Sequence, residues 1–230
     1  MYNGFQIATE VIHMVNATRT KIGMAALGVV LLMMIVPCVW AQAGSDRFRQ
    51  LTKEELNKDQ QRAAAEIMKQ SSSSIAGPWN IMLHSPEMAD RLAKLLDYIR
   101  HKTSLPLRLN EMAIMITACQ VSSQYMWFAH YRFSKEAGLS EAIMADLAHG
   151  KRPRNMRPDE SIVYDFSEEL HRTHFVSDAT FKNAKTILGE QQVVDLIAVN
   201  GAYTLIGMLL NTAEVMPNDG SRPLPTLSNR

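Results

Sequence analysis

The sequence predicts an all-α fold that follows an N-terminal targeting segment. Apolar residues recur at three- and four-residue spacing in several long segments, and Ser, Thr, Pro and Gly stand where helices would start and stop. No segment alternates apolar and polar residues convincingly, as a half-buried strand would. With 230 residues, 47% of them hydrophobic, the chain suits one globular domain with extensions.

Residues 1–43 are predicted to be a signal peptide. Arg19 and Lys21 precede an apolar run at residues 22–40, and Ala41-Gln42-Ala43 forms an A-x-A cleavage site. We therefore expect cleavage after Ala43 and an exported protein, periplasmic or secreted. If the segment is not cleaved, it is long enough to anchor the chain in a membrane.

The charge balance of the remaining chain argues against nucleic acid as a partner. Residues 1–43 hold two of the 24 Lys and Arg and one of the 23 Asp and Glu, so the rest has no formal net charge. Such a chain has no basic excess with which to neutralise phosphates. Cleavage would also remove Cys38 and leave Cys119 alone, so no intramolecular disulfide is expected.

Residues 44–75 are predicted to form a linker and a surface helix. Thr52 and Glu55 have the spacing of a capping box, and a polar helix is expected from there to about Gln70. The serines at residues 71–74 then end this helix.

A helical domain is predicted for residues 76–216. Ser85-Pro86 should start one helix, Pro106 the apolar central helix and Ser123 the helix after it. Ala137-Gly138 predicts a glycine C-cap before a restart at Ser140.

Three further helices and a tail complete the predicted order. They are expected from Asp159 to about His174, from Ser177-Asp178 to Leu188-Gly189, and from Gln191 to Val215. Residues 217–230 lack a core pattern and are predicted to be a disordered tail. His171 lies three residues before His174 and near Glu168, but without a further ligand cluster it is expected to face solvent rather than a metal.

One carboxylate and one imidazole interrupt the apolar run from Leu109 to Tyr131. Apart from Cys119 and two tyrosines, Glu111 and His130 are the titratable residues of this run. Burying a charged group costs free energy unless a partner compensates, and Arg108 or His130 could compensate Glu111. Titratable groups retained in such surroundings are candidates for proton transfer, although a structural Glu–His or Glu–Arg pair would give the same pattern.

The central region resembles the carboxymuconolactone decarboxylase family. Residues 107–115 (LRLNEMAIM) are similar to the start of its signature, and residues 124–130 (QYMWFAH) with residues 137–140 (AGLS) are similar to its second helix and exit. Weaker similarities are Gly77-Pro78, residues 84–86 (HSP), residues 176–178 (VSD) and Tyr203. The resemblance covers roughly residues 76–216.

This resemblance implies a fold, an assembly and two chemistries. The fold is the all-helical alkylhydroperoxidase D-like bundle, and the assembly is a homo-oligomer, often a trimer or a hexamer. One branch of the family decarboxylates small carboxylated lactones without a metal or an organic cofactor. The other reduces peroxides through a Cys-x-x-Cys pair placed between the glutamate and the histidine.

The sequence departs from the peroxide-reducing branch at the cysteine positions. Ser123 and Met126 stand where the two cysteines would be, and Met126 also stands where many single-domain relatives have a glutamate. A dithiol peroxidase needs one thiolate to attack and a second to resolve. Three hypotheses follow: a cofactor-free lyase, a peroxide-reducing protein working through Cys119 and an external thiol, or a binding protein without catalysis.

The lyase hypothesis assigns a role to each candidate residue. Glu111 and His130 would move protons, while Cys119 is either a redox thiol or a small buried apolar residue. Substrate would be bound by side chains near the pair, with Arg108 as the anion anchor; those side chains are Arg108, Ser123, Tyr125 and Trp127. Arg132 is a second arginine that could hold a carboxylate. No cofactor or metal is expected, and a small molecule is the expected partner.

Overall fold

The computed structural model describes residues 47–70 and 74–225, which belong to one compact unit. In this described part, the α-helices α1–α8 are Lys58–Gln70, Pro78–Met82, Pro86–His101, Leu107–Gln120, Gln124–Glu136, Glu141–Ala148, Pro158–Thr173 and Asp178–Thr212. A 3-10 turn, Lys53–Glu55, precedes them, and no strand occurs among these residues. The all-α prediction is therefore confirmed for the described chain. The predicted signal peptide and Cys38 lie outside the described residues.

The predicted capping box forms, but it closes a 3-10 turn rather than a long helix. The backbone N–H of Thr52 donates to Glu55 Oε2 at 3.0 Å. Helix α1 begins only at Lys58, because Asn57 Oδ1 caps it by accepting from the backbone N–H groups of Asp59 and Gln60 at 3.0 and 2.9 Å.

Helix α1 is less peripheral than its polar sequence suggests. Ala63, Ala64 and Ile67 are buried, and the helix packs along α3. The segment before it is fixed by Asn80 of α2, whose side-chain amide accepts from the Leu51 N–H at 3.0 Å and donates to the Leu51 carbonyl at 2.8 Å.

Helix α4 lies at the centre of the fold. Every residue from 109 to 119 is buried, and the helix contacts α3, α5, α6, α7 and α8. A helix that is apolar on nearly all sides has to be surrounded by other helices to keep its side chains from water. Because Glu111 is on this helix, its carboxylate is carried into the interior.

The junction between α5 and α6 has the predicted glycine C-cap. Gly138 has φ +88°, the Leu139 N–H donates to the Ser134 carbonyl, and the Gly138 N–H donates to the Lys135 carbonyl, each at 3.0 Å. This is a Schellman motif. The Ser140 hydroxyl then caps α6 by accepting from the Ile143 N–H at 3.2 Å.

Helix α8 contains the two predicted C-terminal helices, which are joined at a kink. Gly189 has φ +80° and ψ 167°, values that are not helical, and it lies at the predicted break. By length and composition α8 could span a membrane, but 56% of its most apolar window is buried inside the fold. We therefore interpret α8 as a core helix that packs on α4 and α7.

Residues 217–225, within the predicted tail, make specific contacts with the helical domain. Gln124 of α5 clamps Leu224 by accepting from its N–H and donating to its carbonyl, both at 2.9 Å. Pro217 and Leu224 are buried. The sequence shows no periodic pattern here because two separate apolar contacts and one side-chain amide hold the segment, rather than a continuous apolar face.

Candidate functional site

The two titratable residues of the apolar run meet in the interior. Glu111 Oε2 lies 2.9 Å from His130 Nδ1. The side chains are 4% and 11% exposed respectively, so the histidine is the more accessible of the two. Of the two partners that the sequence allowed for Glu111, the structure selects His130.

The second ring nitrogen of His130, Nε2, is the one that remains available for a bound molecule. His130 Nδ1 is committed to Glu111, while Nε2 makes no hydrogen bond within the described part of the chain. A carboxylate on Nδ1 fixes the ring orientation and favours a proton on that nitrogen. Nε2 is thereby the atom able to exchange a proton with a bound molecule.

Aromatic rings hold the imidazole in place. The His130 ring packs edge-to-face on Tyr203 of α8, with 5.1 Å between centroids, and on Phe133 at 5.9 Å. Tyr203 is 3% exposed. Burial raises the pKa of its hydroxyl, so the phenol stays protonated and is a neutral hydrogen-bond donor at neutral pH.

Two buried hydroxyl groups without hydrogen bonds lie on the same face of α5 as His130. The hydroxyl groups belong to two serines in a series with four-, three- and four-residue spacing: Ser123, Trp127, His130 and Ser134. Both serines are fully buried, and neither hydroxyl oxygen finds a hydrogen-bond partner among the described residues. Ser123 occupies the predicted N-cap position, but its side chain makes no cap hydrogen bond. Unsatisfied buried polar groups are costly and rare in folded proteins, so both hydroxyl groups call for an explanation.

Arg108 is not available in the way the sequence suggested. Its guanidinium donates to Asp159 Oδ2 at 2.6 Å and also pairs with Glu160 Oε1, both at the start of α7. Glu160 Oε2 in turn accepts from the Arg157 N–H at 2.7 Å. The side chain therefore fastens α4 to α7, and two carboxylates already neutralise its charge.

Tyr125 and Trp127 lie on different sides of α5. Tyr125 packs over Gly77, where a Cβ would come within 2.5 Å of the tyrosine hydroxyl, and burial raises the pKa of this hydroxyl. Trp127 is 3% exposed and forms a wall of a cavity of about 650 Å³ between α5, α6 and residues 219–223. Neither Glu111 nor His130 lines this cavity.

Cys119 is placed away from the pair, in contact with α6. Its side chain is 4% exposed, and Sγ lies 3.3 Å from the Leu147 carbonyl oxygen. A thiol that donates to a carbonyl is held in its protonated form, which is the unreactive one.

His171 is half-buried rather than exposed, contrary to the expectation from the sequence. Its Nε2 lies 2.9 Å from Asn200 Oδ1 and 3.0 Å from Thr117 Oγ1. Burial lowers the pKa of this imidazole, so the neutral form prevails. Among residues 47–70 and 74–225, no cluster of three or more His, Cys, Asp or Glu could hold a metal ion.

The sequence did not indicate Arg100 and gave Tyr203 only as a weak similarity. The Arg100 guanidinium lies 5.2 Å from the centre of the Phe133 ring, on the side of α5 where Phe133 packs against His130. No local pattern marks either residue, because α3 and α8 reach the pair only through the tertiary fold.

Comparison with known proteins supports the fold. The sequence matches no protein-family model and no curated protein. A solved structure described as an alkylhydroperoxidase AhpD core, an uncharacterized peroxidase-related protein from Ralstonia eutropha JMP134, matches with a TM-score of 0.62 at 18% identity. The match covers 75% of this chain and 92% of that one. The chain therefore has an alkylhydroperoxidase D-like all-helical fold.

Proposed function

We propose that this protein is a cofactor-free acid–base lyase that decarboxylates a small carboxylated lactone or a related acid. The observation that carries the proposal is the Glu111–His130 pair, 2.9 Å apart in an apolar interior with one imidazole nitrogen unbonded. Sequence resemblance to the carboxymuconolactone decarboxylase family supports the substrate class. The hydroxyl groups of Ser123 and Ser134 supply further polar atoms on the same helix face.

The proposed reaction takes up one proton from solvent and requires no oxidant or reductant. The bond from the carboxylate carbon to the substrate breaks, its electron pair is delocalised toward the lactone carbonyl, and carbon dioxide leaves. Protonated His130 then gives its Nε2 proton to the carbon, while Glu111 stabilises the imidazolium and keeps Nδ1 protonated. Solvent restores the proton on Nε2, so one proton is consumed in each turnover.

The peroxide-reducing alternative has weaker support in this chain. The AhpD-core neighbour is described as peroxidase-related, but at 18% identity that likeness concerns the fold. Ser123 and Met126 stand at the positions of a Cys-x-x-Cys pair, and Cys119 is buried against a carbonyl oxygen. Reduction of a peroxide needs an accessible thiolate and a second thiol.

Turnover by two site variants tests the proposal. The probes are γ-carboxymuconolactone and related unsaturated lactone acids labelled with ¹³C in the carboxyl groups, and the measurement is released carbon dioxide. We expect kcat to fall by about 10²-fold or more in Glu111→Gln and His130→Asn, the usual contribution of a positioned acid or base.

Exposed residues of the same types provide matched controls. Glu136→Gln and His149→Gln change a surface glutamate on α5 and a surface histidine after α6, and both should keep the wild-type rate. Wild-type rates in Glu111→Gln and His130→Asn would refute the mechanism. No release of carbon dioxide from any of these probes by the wild type would refute the substrate class.

A further inference from the structure

A hydrogen bond between α3 and α4 joins the neighbours of Arg100 and Glu111 in sequence. The side-chain amide of Asn110 donates to the carbonyl oxygen of Ile99. Arg100 directly follows Ile99 in the last turn of α3, and Glu111 directly follows Asn110 in α4. Since Ile99 and Asn110 are buried, this bond fixes how the two helices meet beside the pair.

A row of rings connects the Arg100 guanidinium with the imidazole. The guanidinium lies 5.2 Å from the Phe133 centroid, and the Phe133 ring lies 5.9 Å from His130. Tyr203 also packs on His130, and besides burial, which raises the pKa of its hydroxyl most, Arg100 lowers this pKa and Glu111 raises it. The guanidinium is therefore separated from the imidazole by one aromatic ring, and its charge and that of Glu111 both act on Tyr203.

Among the described residues, Arg100 is a half-buried arginine whose charge has no carboxylate partner. Two arginines are half-buried among the described residues, Arg100 and Arg108, and the others are exposed. Arg108 has two carboxylate partners, whereas Arg100 has no ion pair or hydrogen bond within the described part. A partly desolvated guanidinium without an anion is costly, and a bound carboxylate would compensate it through a bidentate contact.

We propose that Arg100, rather than Arg108, binds a substrate carboxylate at the Glu111–His130 site. The proposal rests on the proposed function for the identity of the site. The bound carboxylate stays on the substrate during turnover, because an ion pair stabilises the charge that decarboxylation would remove. The carboxylate that leaves is a second one, placed against the apolar wall near His130. The site therefore takes an anionic lactone and discriminates against neutral analogues.

Binding of an acid and its neutral ester tests this assignment without requiring turnover. The probes are 5-oxotetrahydrofuran-2-acetate, which carries the retained carboxylate alone, and its methyl ester, and dissociation constants are measured by ligand-observed NMR. The wild type should bind the acid at least ten-fold more tightly than the ester. Arg100→Gln should weaken binding of the acid about ten-fold or more and leave the ester unchanged, since only the acid contacts the guanidinium.

Two further variants control for charge and folding. Arg91, on the same helix as Arg100, is exposed and pairs with Glu87, so Arg91→Gln should bind both probes as the wild type does. Arg100→Lys keeps the charge without the bidentate geometry and should restore part of the affinity for the acid. Circular dichroism of each variant establishes that it is folded.

The outcomes separate this inference from the proposed function. Equal binding of acid and ester by the wild type, or an Arg100→Gln variant that still prefers the acid, would overturn the role of Arg100. Selective loss of acid binding in Arg100→Gln, combined with wild-type turnover in Glu111→Gln and His130→Asn, would support the anchor and refute the lyase mechanism.

Discussion

At the scale of residues, the buried polar groups divide into those that hold the fold and those left unsatisfied. Two buried polar clusters have their hydrogen-bonding groups paired within the cluster. One is Arg108 with Asp159 and Glu160, and the other is Asn200 with Thr117 and His171. Around His130 the pattern is different, because Nε2 and the hydroxyl groups of Ser123 and Ser134 lack partners in the described structure. A fold stabilised only by packing has no reason to keep these groups in its interior.

Cys119 is expected to be inert toward peroxide. It is 4% exposed and its thiol contacts the Leu147 carbonyl oxygen, so the thiolate is disfavoured. Intact mass spectrometry after stoichiometric hydrogen peroxide should show no oxygen added at Cys119. Cys119→Ala should keep the wild-type decarboxylation rate. Rapid formation of a sulfenic acid at Cys119, with catalytic consumption of peroxide, would favour the redox alternative instead.

The network around His171 should make stability dependent on pH. Asn200 Nδ2 donates to the Leu196 carbonyl and to Ser167, which orients Oδ1 as the acceptor, so His171 Nε2 donates to it. Because burial lowers the pKa of His171 below its ordinary value of 6.5, the unfolded chain binds more protons as the pH falls below 6.5. The free energy of unfolding should therefore decrease as the pH falls through this value.

A His171→Gln variant isolates this contribution, because glutamine can donate to Asn200 but does not titrate. The difference in Tm between pH 7.5 and pH 5.5, measured by circular dichroism, should be smaller in the variant than in the wild type. An equal or larger difference would show that His171 is not the group responsible.

At the scale of elements, serine residues correctly predicted where helices start, but only some of these serines make the expected cap hydrogen bond. Ser140 and Ser177 accept from backbone N–H groups as expected. Ser85 and Ser123 stand at the predicted helix starts, but neither side chain makes a cap bond. The position of a cap is thus a local property, whereas the direction of its side chain depends on what packs around it.

Alanine substitutions at two glycines of α8, one at the kink and one in regular helix, should change the free energy of unfolding in opposite directions. Gly189 adopts φ +80° and ψ 167°, a region nearly restricted to glycine, although no atom lies within 4 Å of a Cβ added there. Gly189→Ala should therefore lower the free energy of unfolding by about 1–3 kcal/mol through backbone strain alone.

Gly201 is the matched control within the same helix. It has ordinary helical geometry, is exposed, and also has open space around an added Cβ. Gly201→Ala should raise the free energy of unfolding by roughly 1 kcal/mol through helix propensity. Urea denaturation measures both variants, and a Gly189→Ala variant as stable as the wild type would contradict the assigned backbone strain.

At the scale of the whole molecule, the C-terminal segment closes one side of the fold. Residues 219–223 form a wall of the cavity beside Trp127, and Gln124 holds Leu224 through both of its backbone groups. Export, cleavage after Ala43 and assembly into trimers or hexamers stay predictions.

Replacing the buried leucine of this segment tests whether it is part of the fold. Leu224 is 4% exposed, so Leu224→Ala should lower the free energy of unfolding by about 2 kcal/mol. Arg222→Ala, two residues earlier at an exposed position, should have little effect. Thermal unfolding followed by circular dichroism distinguishes them, and equal Tm values for the two variants would contradict the packed segment.

The sequence alone determined the fold class, most helix boundaries and the burial of Glu111 and His130. These follow from local causes: the apolar run of α4, the glycine at residue 138 and the break at Gly189 act within a few residues. Tertiary structure alone decided which groups meet. It paired Glu111 with His130 rather than Arg108, placed Arg100 over Phe133, and packed Leu224 onto Gln124, 100 residues away in sequence. Contacts at such separations depend on how helices pack, and no local pattern encodes them.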